Sequence, residues 1–201
     1  MSQEELPEFV LDAAERLAAE DGLRGIGMRR IAVEVGVVPG SIYKFLGDLD
    51  EIVLRLNART LVRLRDHLRG SIEPEAEPGT NALILADAYL DFVTANRRVW
   101  GVILEHTMPG DRAVPDWYMA ELAQTTGIVE AVLRPLLPDD GERTRAVATL
   151  WAALHGLASL ATSGKLAFVH PGDVREMGRV LVARFLGLPT PTTSPLSGEQ
   201  A

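Results

Sequence analysis

Along residues 28–46 the apolar positions Ile31, Ala32 and Val35 fall three and four residues apart, which gives a short helix one apolar face. Ala32 on that face is small enough to let a second helix cross closely. Gly36 ends the helix, where a left-handed residue is commonly required. Pro39 then suits a first helical position; in the helix that it opens, Ile42 and Leu46 turn inward while Ser41, Tyr43 and Lys44 stay outward. The pattern predicts two short helices joined by a glycine turn, the shape of a helix-turn-helix. Before it, Leu6, Phe9, Val10, Ala13 and Leu17 are expected on one face of an amphipathic helix that ends at Gly22.

Gly47-Asp48-Leu49-Asp50 starts a long helix expected to run to about Gly70, with acids at its amino end and Arg55, Arg59, Arg63, Arg65 and Arg69 further along. Residues 70–79 are rich in proline and acid and poor in apolar side chains, so they read as a connection between domains. From Thr80 to about Leu188 no β pattern occurs; helices are expected near 80–95, 97–106, 115–137, 140–164 and 172–187, punctuated by Pro109-Gly110, Pro115, Pro138 and Pro171-Gly172. The fold class is all-α, with about nine helices: a three-helix head at residues 1–47, a helical bundle at 48–188 and a disordered tail at 189–201.

In the last two helices Val147, Trp151, Leu154, Ala158 and Ala161 follow 4-3-4-3 spacing, and Val174, Met177, Leu181, Phe185 and Leu188 follow 3-4-4-3. Both stripes suit helix-on-helix packing. The spacing leaves two readings open, packing within one chain or a four-helix interface between two copies.

Composition narrows the classes. A 201-residue chain with 47% hydrophobic residues is long and apolar enough to bury a core. No run approaches the roughly 18 apolar residues of a membrane span, and the early glutamates do not resemble a signal segment, so a cytoplasmic protein is expected. Without cysteine there is no disulfide, thiolate ligand or thiol nucleophile. The net charge of -8 argues against nucleic acid as a partner, because phosphate neutralisation supplies most non-specific affinity. Local counts change that picture. Residues 1–46 hold five basic and eight acidic residues, net -3, but residues 22–46 hold Arg24, Arg29, Arg30 and Lys44 against Glu34 alone, net +3. The acid belongs to the first helix, and the reading surface is modestly basic.

Ile31-Ala32, Gly36-Val37 and Gly40-Ser41-Ile42-Tyr43-Lys44, followed by an acidic helix start, resemble the amino-terminal domain of the TetR family over about the first 60 residues. Trp151-Ala-Ala-Leu-His155-Gly156 resembles the Trp-x-x-x-His-Gly signature of the WHG type of TetR regulatory domain. The resemblance implies a bacterial, ligand-responsive, homodimeric regulator of transcription, most often a repressor, whose partners are double-stranded DNA and a small-molecule effector. It also implies that residues 1–47 bind DNA and residues 48–188 bind effector and dimerise.

On this reading Ser41 and Lys44 reach base edges or phosphates, Tyr43 donates its hydroxyl to a phosphate, and the backbone near Pro39 and Gly40 approaches the strand. Arg29 and Arg30 contact phosphate. Val38 stands where a hydroxyl cap commonly precedes the reading helix, and Leu49 stands where the family has a phosphate-contacting lysine. The candidate effector-binding residues are Tyr89, Phe92, Trp100, Ile103, Leu104, Met108, Trp117, Tyr118, Leu122, Trp151 and His155, a set that suits an apolar ligand and equally a plain core. The candidate dimer interface is Val147, Leu154, Ala158, Ala161, Val174, Met177, Leu181 and Phe185. Gly156 lies inside a predicted helix at a cost of about 1 kcal/mol relative to alanine, so a close helix or a ligand is expected beside it. No dinucleotide, phosphate-loop, nucleophile-elbow or zinc-helix motif occurs, and the histidines His67, His106, His155 and His170 are scattered. Neither an enzyme nor a cofactor or metal is expected. A second reading stays open: a helical ligand-binding or protein-interaction module whose head no longer reads DNA.

Overall fold

The computed structural model describes residues 5–110, 112–169 and 172–189; the expected tail beyond Pro189 and His170 lie outside the described residues. Among the described residues there are nine α-helices, two short 3-10 turns and no strand. The helices are α1 (Leu6–Asp21), α2 (Met28–Val35), α3 (Pro39–Leu46), α4 (Leu49–Ser71), α5 (Pro78–Ala95), α6 (Arg97–Glu105), α7 (Asp116–Leu133), α8 (Asp140–Thr162) and α9 (Val174–Phe185). The all-α architecture is as expected, and none of these helices is long and apolar enough to cross a membrane. The chain groups into two compact units, within residues 1–70 with 92–128 and within residues 71–91 with 129–201.

The first unit holds the head. Val10, Ala13, Ala14, Ile31, Ile42, Ile52, Leu56 and Val102 are fully enclosed in one core that draws on α1, α2, α3, α4 and α6. Phe9 departs from expectation: it is 47% exposed, because the helical repeat turns it about 100° from Val10, and Leu11, Ala14 and Ala18 complete the buried stripe instead. Gly36 ends α2 at φ 77° and ψ 33°, its amide and that of Val37 donating to the Ala32 carbonyl at 3.0 and 2.9 Å. That left-handed turn sets the angle at which α3 leaves, and Ala32, 2% exposed, lets the helices cross. Asp48 caps α4, its Oδ1 accepting from the Glu51 amide at 2.9 Å.

The acids of α1 are matched by arginines of α4. Arg59 lies 2.5 Å from Glu8 and 2.6 Å from Asp12, and Arg63 pairs with Glu15. Arg98 of α6 donates to the carbonyls of Ala19 and Glu20 at the carboxyl end of α1, where orphan acceptors and the helix dipole favour a cation.

In the second unit, Asn81 of α5 pins the connecting segment, accepting from the Glu73 amide at 2.9 Å and donating to its carbonyl at 2.8 Å. Asp139 and Asp173 cap α8 and α9 through the amides of Glu142 and Arg175, at 2.7 and 2.9 Å. Gly178 of α9 is a true close approach, since a Cβ there would stand 2.6 Å from the Leu90 Cδ1 of α5. Arg179 and Arg175 hold the same helix pair through Asp87 and Asp91, at 2.5 and 2.6 Å.

Candidate nucleic-acid interface

Helix α3 is fixed from behind by Ile42 and Leu46, 0% and 4% exposed, which fall four residues apart on its inner face. Its outer face presents Tyr43, 54% exposed, and Lys44, whose ammonium lies 5.4 Å from the centroid of the Phe45 ring. Ser41 is half-buried and its amide donates to the Val38 carbonyl at 3.0 Å. Pro39 occupies the first turn, and no side chain caps the helix. A Cβ built on Gly40 would meet nothing within 4 Å, so the protein itself has no use for a bare backbone there.

Arg29 and Arg30 open α2 and are both exposed, but their situations differ. Arg30 donates to Asp21 Oδ2 at 2.9 Å, whereas Arg29 and Arg24 form no ion pair among the described residues. Glu34, the one acid between residues 22 and 46, lies 2.5 Å from Arg16. Asp21 and Glu34 are thus each paired with an arginine, while Arg24, Arg29 and Lys44 form no ion pair among the described residues. This arrangement suits contact with a polyanion.

Residues 10–56 match the family model described as bacterial regulatory proteins of the tetR family, and residues 82–185 match the tetracyclin repressor-like carboxyl-terminal domain. The chain belongs to the TetR family of transcriptional regulators. An uncharacterised helix-turn-helix transcriptional regulator of Bacillus subtilis, YobS, is 28% identical over 191 residues, covering 89% of each chain. Among solved structures, a protein of unknown function from Rhodococcus sp. RHA1 superposes with a TM-score of 0.76 at 23% identity, covering 91% of this chain and 95% of that one. The TetR regulator PfmR of Thermus thermophilus does so at 0.62 and 16%, covering 89% and 97%. Members of the TetR family bind DNA and are not enzymes. Among the described residues no cluster could hold a metal ion.

The effector candidates separate in this TetR chain. Trp100 and Tyr118 are buried, Phe92, Ile103 and Met108 are half-buried, and Leu104, Trp117 and Leu122 are exposed; all belong to the first unit. Phe92 and Trp100 meet edge to face at 6.2 Å, while Trp117 lies against Tyr118 at 5.8 Å with Arg55 over its ring. Two polar residues missed in the sequence stand on the inner face of α4: Thr60, which donates to its own helix at Leu56, and Asn57. Asn57 is 1% exposed, and its Oδ1 has no hydrogen-bond partner among the described residues. Their place on the 53, 57, 60, 64 stripe was the available signal.

Tyr89, Trp151 and His155 form a separate cluster in the second unit. The Tyr89 hydroxyl lies 3.2 Å from His155 Nδ1, and the His155 ring stacks on Trp151 at 5.9 Å. Burial lowers the His155 pKa and raises that of Tyr89, so the neutral form of each is favoured. Trp151 is 44% exposed and lines no interior.

Of the dimer candidates, Val147, Leu154 and Ala158 are buried within the unit itself. On α9 the buried residues are Gly178, Val182 and Ala183, so the inward stripe is rotated from Met177, Leu181 and Phe185; Val174, Met177 and Leu181 are half-buried and Phe185 is exposed. Of the large apolar residues on α8 and α9, Trp151, Leu160, Val180 and Phe185 are exposed, and Ala161 is half-buried. Gly156 lies in open space, with nothing within 4 Å of a built Cβ, so among the described residues no close helix stands beside it.

Proposed function

We propose that this TetR regulator is a repressor whose residues 1–47 bind a near-palindromic operator as one half of a two-fold dimer, and that a small, largely apolar effector releases it. The observation that carries the reading is the outer face of α3, where Tyr43 and Lys44 stand exposed over a fully buried Ile42, together with Arg29, exposed at the start of α2. Such a face meets the major groove with side chains that can contact bases and phosphates. Ser41, Pro39 and Gly40 lie along the same helix start, and Arg30 joins them by exchanging Asp21 for phosphate.

Two reading heads must sit about 34–36 Å apart, one turn of DNA or a multiple. The exposed apolar residues of α8 and α9, Trp151, Leu160, Val180 and Phe185, together with the open position Gly156 on α8, are the surface offered to a second copy. For the effector, the bundle residues 48–188 supply Phe92 and Trp100 as apolar wall and Asn57 with Tyr118 as polar anchor, so the ligand carries a hydrogen-bond donor for the unpartnered Asn57 oxygen. Effector that prefers the arrangement with misplaced heads shifts the population from DNA.

Gel shifts on the DNA upstream of its own gene, across a salt series, test the reading. Sequence-preferring binding that weakens steeply with salt is expected; equal binding to unrelated DNA at every salt concentration refutes it.

A further inference from the structure

The leading end of the reading helix carries no polar side chain, and this decides what it can recognise. Val38, Pro39 and Gly40 are consecutive, and the first hydroxyl, that of Ser41, belongs to a half-buried residue. Val38 is 68% exposed in extended backbone at φ -79° and ψ 143°, immediately before the first turn. A hydroxyl or carboxamide at this position would cap the helix, worth about 1 kcal/mol; valine makes no cap bond and is largely unpacked. Gly40 gives up helix propensity of similar size, and its missing side chain leaves space outside the protein rather than accommodating a neighbour within it. Two adjacent positions thus lack any internal reason for an apolar stub and a bare backbone.

We propose that Val38, with the clearance left by Gly40, reads a thymine C5-methyl group in the major groove. The inference rests on the DNA-binding reading above and adds a specificity determinant to it. Hydrogen-bonding edges of A, G and C in the major groove demand a donor or acceptor, and this end of the helix has no side chain to supply one; the thymine methyl is the one apolar group displayed there. The isopropyl group of valine is stiff about χ1, so it presents a fixed surface to that methyl. Phosphate contact is left to Tyr43, Lys44 and Arg29.

The test uses the full chain. Binding sites are selected from a random duplex library, and each thymine in the selected site is then replaced by deoxyuridine, which removes the methyl alone. Wild type should lose about 4-fold in affinity at one thymine in each half-site, the worth of burying one methyl-sized group. Val38→Ser supplies the cap, so it should be at least as stable as wild type by thermal melting, yet bind thymine and deoxyuridine sites equally. If wild type is indifferent to every thymine methyl, or if Val38→Ser keeps the full discrimination, the inference is overturned and the DNA-binding reading stands. If the library yields no preferred sequence, both fall together.

Discussion

Arg59 of α4 holds Asp12 of α1 at 2.6 Å, so acid of the first helix is paired with base inside the head. The same guanidinium reaches Glu8 at 2.5 Å, and burial of its own stem leaves only 24% of the side chain exposed. The carboxylates are more open, so each pair is screened and worth little alone. Arg59→Ala should lower stability by about 1 kcal/mol and free two carboxylates. Urea unfolding measures the first effect, and weakened binding to random-sequence DNA at low salt measures the second; an unchanged midpoint would mean the network is ornamental.

Gly40→Ala separates fold from function. Among the described residues nothing opposes a methyl group at this site, and alanine favours a helix by up to about 1 kcal/mol. The expected variant melts at or above the wild-type temperature and binds operator at least 10-fold more weakly. Loss of stability would show that the space beside Gly40 is not open.

The two helical glycines of the second unit make opposite predictions. Gly178→Ala forces a Cβ against the buried Leu90 and should destabilise the fold by about 1 kcal/mol after helix propensity is allowed for. Gly156→Ala meets nothing within the chain and should leave the melting of the isolated subunit unchanged or raised, while shifting the monomer–dimer equilibrium toward monomer. Sedimentation at several concentrations reads the shift; a dimer that tolerates the methyl would move the interface away from α8.

His155 predicts a pH dependence. Its pKa is lowered in the folded chain by burial, so the unfolded chain binds the proton more readily. Stability from this site is present above the unfolded value of about 6.5 and is lost as pH falls through it toward the folded pKa. Melting temperature between pH 7.5 and 5 should therefore fall on acidification, and His155→Gln should flatten part of that fall. A histidine that stabilised its charged form would give the reverse slope.

How much of this was legible in the chain depends on what each residue answers to. Gly36, Pro39, Ile42 and Leu46 obey local backbone rules and helical period, so α2, the turn and α3 could be read directly. Phe9, Val147 and Phe185 could not be placed by period alone, because two registers one residue apart give similar stripes and only the neighbouring helix chooses between them. Asn57 has no signature of its own, because a polar residue on an apolar stripe reads as noise until its burial at 1% exposure is known. The pairing of Arg59 with Asp12 joins residues 47 positions apart and has no sequence signature.

The central claim is that α3 reads DNA through its outer face. It is tested most directly by measuring the affinity of the Tyr43→Ala, Lys44→Ala double variant for the DNA upstream of its own gene, with circular dichroism to confirm an intact helical fold. Both side chains are exposed, so the fold should be unaffected. Specific affinity should drop by about 10- to 100-fold or more, the worth of one or two base or phosphate contacts. A folded double variant that binds this DNA as tightly as wild type would contradict the account.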